Sequence, residues 1–77
     1  MTTNTIQNEH IGFIGARLRL ERHRLQLNQT EFAALGGVRK LAQLRYERDE
    51  RAPDAQYLLA LAQAGVDVQY VLTGERS

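Results

Sequence analysis

The stretch Asn28–Glu47, NQTEFAALGGVRKLAQLRYE, decides how this sequence folds. It holds two amphipathic segments on either side of Gly36 and Gly37. Each segment is far shorter than the roughly 12–15 residues that an isolated helix needs in water. Two such short helices are stable only when other helices bury their inner faces, which leaves an outer face to project. The pattern therefore predicts a helix-turn-helix over about residues 29–48.

The first half of this stretch carries its own start and stop signals. Asn28 followed by Glu31 predicts a capping box, in which the Asn side chain accepts an amide of the first turn and Glu31 reaches back. We expect helix 2 to begin at about Gln29, with Gly36 or Gly37 as the left-handed residue that ends it. Its predicted inner face consists of Phe32, Ala33 and Leu35.

The second half predicts a third helix, from about Arg39 to Arg48, with two different faces. On a helical wheel at about 100° per residue, one arc carries Ala42, Gln43 and Tyr46, and the opposite arc carries Lys40, Leu41, Leu44 and Arg45. We expect the first arc to face the core. The second arc is then the one that projects from the domain.

A first helix is predicted over about residues 9–25. The polar residues 1–8 show no periodicity and are predicted to form a flexible arm. Arg22 lies on the apolar stripe of this helix and needs a partner, because an unpaired buried charge is costly. The stripe itself consists of Ile11, Ile14, Leu18 and Leu25.

Two further helices complete the predicted fold. Asp54 is expected to cap a fourth helix that ends at Gly65, and Asp67 a short fifth helix over residues 68–73. We expect an all-α fold, a compact five-helix bundle, with residues 9–77 as one domain. The predicted core residues of these two helices are Tyr57, Leu58, Leu61, Ala62, Val71 and Leu72.

Composition excludes several kinds of site. A chain of 77 residues forms a single small domain, which buries only about 60% of its unfolded surface. There is no cysteine for a disulfide or a thiolate metal site, and His10 and His23 form no ligand cluster. The apolar runs are too short for a membrane span, and MTTNTIQNEH lacks the features of a signal peptide. We expect a soluble, cytoplasmic protein without metal, cofactor or membrane partner.

Charge is distributed unevenly along the chain. The net charge is only +1, but residues 17–51 hold nine basic against five acidic side chains, an excess of four positive charges. A local excess of arginine is compatible with phosphate contact. The alternative is that this charge-rich stretch is simply a solvated face.

Beginning at Gln29, the pattern Q-x-x-x-A-x-x-x-G, with Tyr46 and Glu47 at its far end, resembles the helix-turn-helix of lambdoid phage repressors, Cro proteins and related XRE-type regulators. Gln29, Ala33, Gly37 and Tyr46 occupy the characteristic positions of that family. The segments IGARLRLERHRLQLNQTEFA, YERDERAPDAQYL and GVDVQYVLTG extend the resemblance over about residues 11–75. The resemblance implies the lambda-repressor-like type of helical bundle.

Two residues depart from the pattern of this family. Gln43 stands where an aliphatic residue is usual, so we expect its buried amide to need a partner. Asp49 stands where glycine is frequent, and a left-handed Asp costs about 1 kcal/mol. Neither departure changes the predicted fold.

The resemblance also implies roles for particular residues. Helix 3 of the family enters the DNA major groove, which admits an α-helix and displays a distinct pattern for each base pair. Arg45 is suited to guanine and the leucines to thymine methyl groups, although the leucines could instead pack on a neighbouring segment or a protein partner. Arg22 and Glu47 resemble a structural ion pair of the family. The implied base contacts are Lys40, Leu41, Leu44 and Arg45, and the implied phosphate contacts are Gln29, Arg39, Arg48 and Arg51.

We therefore expect a sequence-specific DNA-binding transcriptional regulator, of the phage or prophage repressor type, that binds a palindromic operator as a homodimer. The expected dimer region is Val66–Ser77, where core packing competes for Tyr70, Val71 and Leu72. The alternative is a protein-binding module, such as an antitoxin or adaptor, that uses the same helical face. We do not expect an enzyme, because the sequence holds no Ser/His/Asp arrangement and no phosphate loop. Whether the chain is a complete regulator or an excised DNA-binding domain stays open.

Overall fold

The computed structural model describes residues 14–77 of the chain, and within that range it contains helices and no strand. Residues 14–24 are helical and are called α1. The following helices are α2 (Gln29–Leu35), α3 (Lys40–Glu47), α4 (Ala55–Gln63) and α5 (Val68–Thr73). The predicted all-α class and the order of five helices are confirmed. The predicted arm over residues 1–8, the predicted start of helix 1 at residue 9, and Ile11 lie outside the described residues.

The start of α2 and the turn after it follow from local chemistry. The capping box is confirmed: the Asn28 carboxamide oxygen accepts the amide of Glu31 at 2.8 Å, and the Glu31 carboxylate accepts the amide of Asn28 at 2.9 Å. Gly37, with φ 74°, is the left-handed residue of the turn. Gly36 has φ −87° and serves a different purpose, because a Cβ atom there would overlap the ring of Tyr57. The two glycines thus supply a turn and a close helix contact.

The core is apolar and lies between the five helices. Its buried side chains are Leu18, Phe32, Tyr46, Tyr57, Leu61, Val66 and Val71. The prediction that Ala62 and Leu72 belong to the core is wrong, because both side chains are exposed, Leu72 by 39%. Each directly follows a buried residue, Leu61 or Val71, and a step of about 100° along a helix turns it toward solvent.

A close contact joins α1 to the end of α3. Asp49 adopts the left-handed conformation with φ 57°, and its carboxylate Oδ1 accepts the amide of Gly15 at 2.9 Å. A Cβ atom at Gly15 would lie 2.6 Å from the carbonyl oxygen of Glu47. The contact therefore requires glycine at position 15 of α1. The hydrogen bond from the Gly15 amide helps to stabilise Asp49 in its left-handed conformation.

A buried carboxylate joins the other side of α1 to the C-terminal residues. Glu21 is fully buried and accepts two bonds from Arg24 at 2.8 Å, one from Arg76 at 2.5 Å and one from the amide of Asp67 at 2.9 Å. The Arg24 hydrogen bonds lower the pKa of Glu21 to about 2, with Arg76 and the Asp67 amide adding to them against the opposing effect of burial. Arg76 also lies over the ring of Tyr70, 3.8 Å from its centroid.

Arg17 binds the end of α5. Its Nε atom donates to the carbonyl oxygen of Val71 at 2.8 Å, and its Nη2 atom to that of Leu72 at 3.4 Å. These carbonyls belong to the last turn of a helix, where no amide of the same helix follows to bind them. Among the residues that the structure describes, no helix is both long enough and apolar enough to cross a membrane.

The Glu21 cluster predicts a specific acid response. Because its folded-state pKa lies below its unfolded value, ionised Glu21 stabilises the fold above about pH 4.5, and this stabilisation is lost as pH falls toward 2. Glu21→Gln is expected to lower the free energy of unfolding by about 2 kcal/mol at pH 7, because charge-assisted hydrogen bonds are lost while Arg24 and Arg76 remain half-exposed to water. The difference from the wild type should therefore shrink as pH falls below 4.5 and be largely lost near pH 2.

Urea unfolding at several pH values measures this difference. The exposed Glu75→Gln is the control and is expected to have no effect. A difference between the wild type and Glu21→Gln that stays constant down to pH 2 would contradict the assignment.

Candidate nucleic-acid interface

The outer arc of α3 projects from the domain. Lys40, Leu41 and Arg45 are exposed and Leu44 is half-buried, whereas Gln43 and Tyr46 on the inner arc are buried. Leu41 is 56% exposed, about as much as Leu20 and Leu59 elsewhere on the surface. The four predicted base-contacting residues therefore form one surface, which we call the α3 face: Lys40, Leu41, Leu44 and Arg45.

Basic residues lie at both ends of α3. Arg39 is its N-cap and Arg48 its C-cap, so the helix is one residue shorter at each end than predicted. Within the described part of the chain, the side chains of Arg39, Lys40, Arg45 and Arg48 make no hydrogen bond or ion pair. Arg51 differs, because its guanidinium lies 5.9 Å from the centroid of the Tyr46 ring. Four of these five cations are thus available to an anionic partner.

The carboxylate of Glu47 receives donors from three helices. Arg22 on α1 donates through Nε at 2.8 Å and through Nη2 at 3.0 Å. Gln29 on α2 donates at 3.2 Å, and Gln43 on α3 at 2.8 Å. The side chains of Arg22 and Glu47 are 13% and 4% exposed. The structure thus brings the two predicted ion-pair residues together in a nearly dry place.

Burial and hydrogen bonding act in opposite directions on this carboxylate. Burial raises the pKa of Glu47, but the hydrogen bonds from Arg22, Gln43 and Gln29 outweigh it and leave the pKa below its usual value. The charged form is therefore the one that the fold stabilises. Arg22 additionally donates to the carbonyl oxygen of Leu27 at 3.2 Å, in the connection between α1 and α2.

The buried amide of Gln43 finds its partner on α4. The hydroxyl of Tyr57 donates to Gln43 Oε1 at 2.5 Å, which turns the amide nitrogen toward Glu47. Burial raises the pKa of Tyr57 above its usual value, so this hydroxyl keeps its proton. The sequence interpretation placed Tyr57 in the apolar core and missed this bond. The signal was present, since a glutamine and a tyrosine both predicted to be buried must each find a polar partner.

Gln29 lies between this network and the surface. Its side chain is half-buried, and its amide nitrogen carries a second hydrogen beside the one donated to Glu47. A groove of about 370 Å³ adjoins it, lined by Arg22, Asn28, Gln29, Thr30 and Lys40. Gln29, which is predicted to bind phosphate, and Lys40, which is predicted to contact a base, thus line the same groove. Within residues 14–77, no group of three or more acidic or histidine side chains could hold a metal ion.

The Tyr57–Gln43 bond predicts coupled stabilities. Tyr57→Phe and Gln43→Leu each leave a buried polar atom without its partner, so each should lower the free energy of unfolding by about 1–3 kcal/mol. The double variant contains neither the Tyr57 hydroxyl nor the Gln43 amide oxygen. It should therefore lower the free energy of unfolding by less than the sum of the two single changes. Urea unfolding of all four proteins measures the coupling.

Tyr70→Phe is the matched control, because the hydroxyl of Tyr70 makes no hydrogen bond within the described residues. Additive losses in the double variant, or an equal loss in Tyr70→Phe, would rule the coupling out.

Comparison with solved structures identifies a relative of this chain. The P22 c2 repressor, determined in complex with a synthetic operator in the presence of Tl⁺, matches it with a TM-score of 0.73 and 33% sequence identity. The match covers 82% of this chain and 97% of that chain. No protein-family model matches the chain, and no curated protein sequence matches it significantly. The identity and coverage confirm the predicted resemblance: this chain belongs to the phage repressor family of helix-turn-helix DNA-binding domains.

Proposed function

We propose that this protein is a transcriptional repressor that binds a specific operator by placing α3 in the DNA major groove. The observation that carries this proposal is the α3 face, whose exposed side chains make no competing hydrogen bond or ion pair within the described residues. The relative described above was crystallised as a repressor on a synthetic operator. A helix of this width fits the major groove, where each base pair is distinguishable.

The α3 face combines two kinds of base contact. Arg45 and Lys40 are donors, and guanine offers the O6 and N7 acceptors that a guanidinium binds with two hydrogen bonds. Leu41 and Leu44 can neither donate nor accept, so their DNA partner is the methyl group of thymine. We therefore expect an operator half-site that contains guanine next to thymine.

The residues around α3 are proposed to bind phosphates and so set the register of the helix. Arg39 is the N-cap of α3, and Gln29 begins α2 and donates to Glu47 in the last turn of α3. Arg48 and Arg51 follow the carboxyl end of α3. Contacts to phosphate position a protein on the duplex without reading sequence. Arg51 would give up or share its contact with Tyr46 to take part.

A dimer on a palindromic operator is part of the proposal. A single domain of this size buries too little surface for tight binding, whereas two domains read half-sites about 34 Å apart. The C-terminal residues offer the exposed Leu72 for the dimer contact. Val71 is fully buried in the core, so it cannot contribute to a dimer contact, which was one of the two uses predicted for it. A repressor that binds DNA would act in the cytoplasm, which is the location expected from the sequence.

A protein-binding module is the second candidate function, and the exposure of Leu41 favours it. The exposed Leu41 lies on the same face of the projecting helix as the half-buried Leu44, and this pair suits a protein surface as well as thymine methyl groups. The two candidates differ in electrostatics, because only the binding of DNA releases condensed counterions.

Titration of duplex DNA against salt tests the proposal. After selection of bound duplexes from a random library, the wild type should bind the selected sequence with an affinity that falls steeply as salt rises. Arg45→Ala should lose about 1–3 kcal/mol on the selected duplex and relax the preference at one base pair. Gln29→Ala should weaken the binding of all sequences alike.

Gln63→Ala, an exposed change at the end of α4, is the matched control for Gln29→Ala. Thermal melting verifies that each variant is folded. A weak, sequence-independent and salt-insensitive response of the wild type would favour the protein partner over DNA.

A further inference from the structure

Tyr57 of α4 contacts the helix-turn-helix from inside the domain. One edge of its ring lies so close to Gly36, the C-cap of α2, that a Cβ atom at that position would overlap it. The ring also packs against that of Tyr46 on α3, with 4.7 Å between the two centroids. The side chain of Tyr57 is 1% exposed, and the carboxylate of Asp54 fixes its backbone by accepting the amide at 2.9 Å. One residue outside the helix-turn-helix thus contacts the end of α2 and the inner arc of α3.

A chain of hydrogen bonds runs from the Tyr57 hydroxyl to the proposed DNA interface. The hydroxyl donates to Gln43 Oε1 at 2.5 Å, and Gln43 Nε2 donates to Glu47 Oε2 at 2.8 Å. The other oxygen of this carboxylate accepts the amide nitrogen of Gln29 at 3.2 Å. The first two residues are buried, whereas Gln29 is half-buried and borders the groove beside Lys40. The chain therefore links α4 to a side chain that is proposed to bind phosphate.

Hydrogen bonding gives this contact a direction that apolar packing lacks. The Glu47 carboxylate in its charged form can only accept, so the amide nitrogen of Gln43 must face it and the amide oxygen must face Tyr57. The tyrosine hydroxyl is then the donor. Hydrogen bonds weaken steeply outside a narrow range of distance and angle, whereas the hydrophobic effect is non-directional. A rotation or a slide of α3 against α4 would therefore break a bond of this chain, even where the apolar core could accommodate the movement.

We propose that Tyr57 and Gln43 are positioning residues for base recognition, which together fix the orientation in which α3 is presented to the DNA major groove. This inference rests on the proposed function and extends it to two buried side chains that do not themselves contact DNA. The resemblance to the phage repressor family does not imply it, because Gln43 stands where that family usually has an aliphatic residue.

Base contacts and phosphate contacts depend on this orientation to different degrees. A contact that binds a base edge through two hydrogen bonds needs both donors in the correct geometry, so it is lost when the helix is misaligned. The attraction of exposed cations to phosphates is independent of sequence and does not require one fixed geometry. A loosened α3 should therefore lose its preference for the operator while it keeps its affinity for random DNA.

The binding of selected and random duplexes by Gln43→Leu and Tyr57→Phe tests this proposal. Gln43→Leu removes both the bond to α4 and the donor to Glu47. The ratio of the affinities for selected and random duplexes should therefore fall about tenfold, which is the discrimination supplied by one two-bond base contact. Tyr57→Phe removes a single oxygen atom and should lower the ratio by a smaller factor. The affinity for random duplexes and its dependence on salt should equal those of the wild type.

The double variant separates positioning from stability. It contains neither of the two polar atoms, so it should be more stable than the sum of the single losses implies. It still lacks the hydrogen bond between α3 and α4, so the affinity ratio should stay about tenfold below that of the wild type. Val71→Ala is the matched control, because it lowers stability from a buried position on α5 outside the chain of bonds and should keep the wild-type ratio. Thermal melting verifies that each variant is folded at the assay temperature.

A ratio that returns to the wild-type value in the double variant, or that falls equally in Val71→Ala, would overturn the proposal, because the two residues would then act only through stability. An unchanged ratio in a folded Gln43→Leu would do the same, and Tyr57→Phe decides the question if Gln43→Leu does not fold. If the wild type itself does not prefer the selected duplex, the proposed function fails. That result differs from a wild type and variants that all discriminate equally well.

Discussion

The buried carboxylate of Glu47 is the interaction on which the arrangement of the helices depends. It collects hydrogen bonds from α1, α2 and α3, and through Gln43 it is linked to the Tyr57 hydroxyl of α4. A carboxylate taken out of water is costly unless its oxygens are bound, so a shift of any of these helices would leave it short of donors. The polar network therefore constrains the angle at which α3 leaves the core, and with it the direction of the α3 face.

This constraint matters because the apolar core is small. A domain of this size has little apolar area with which to select one packing of short helices among several. Two buried carboxylates, Glu47 at the end of α3 and Glu21 on α1 beside the start of α5, add directional hydrogen bonds to the apolar contacts of the core. Burial of the charges offsets much of the attraction within such an ion pair, but the loss of one partner leaves the other charge stranded and is costly.

Local chemistry allowed much of the fold to be predicted, whereas contacts distant in sequence did not follow from it. The capping box at Asn28, the turn at Gly37 and the two arcs of α3 depend on residues a few positions apart. Glu21 stands between Leu20 and Arg22 and looks like an ordinary surface acid paired with Arg24, because its other partners, Asp67 and Arg76, lie 46 and 55 residues further along the chain. Periodicity identifies the faces of a helix but not the element that packs beside each face.

The stability of Glu47→Gln tests the central claim most directly. The substitution keeps the shape of the side chain, removes its charge and leaves Arg22 buried beside a neutral amide. Urea unfolding at pH 7 should show a loss of about 3 kcal/mol relative to the wild type, because a stranded buried charge is costly. Glu50→Gln, an exposed neighbour, should change little. Equal stabilities of Glu47→Gln and Glu50→Gln would contradict the account, because the position of α3 would then not depend on this carboxylate.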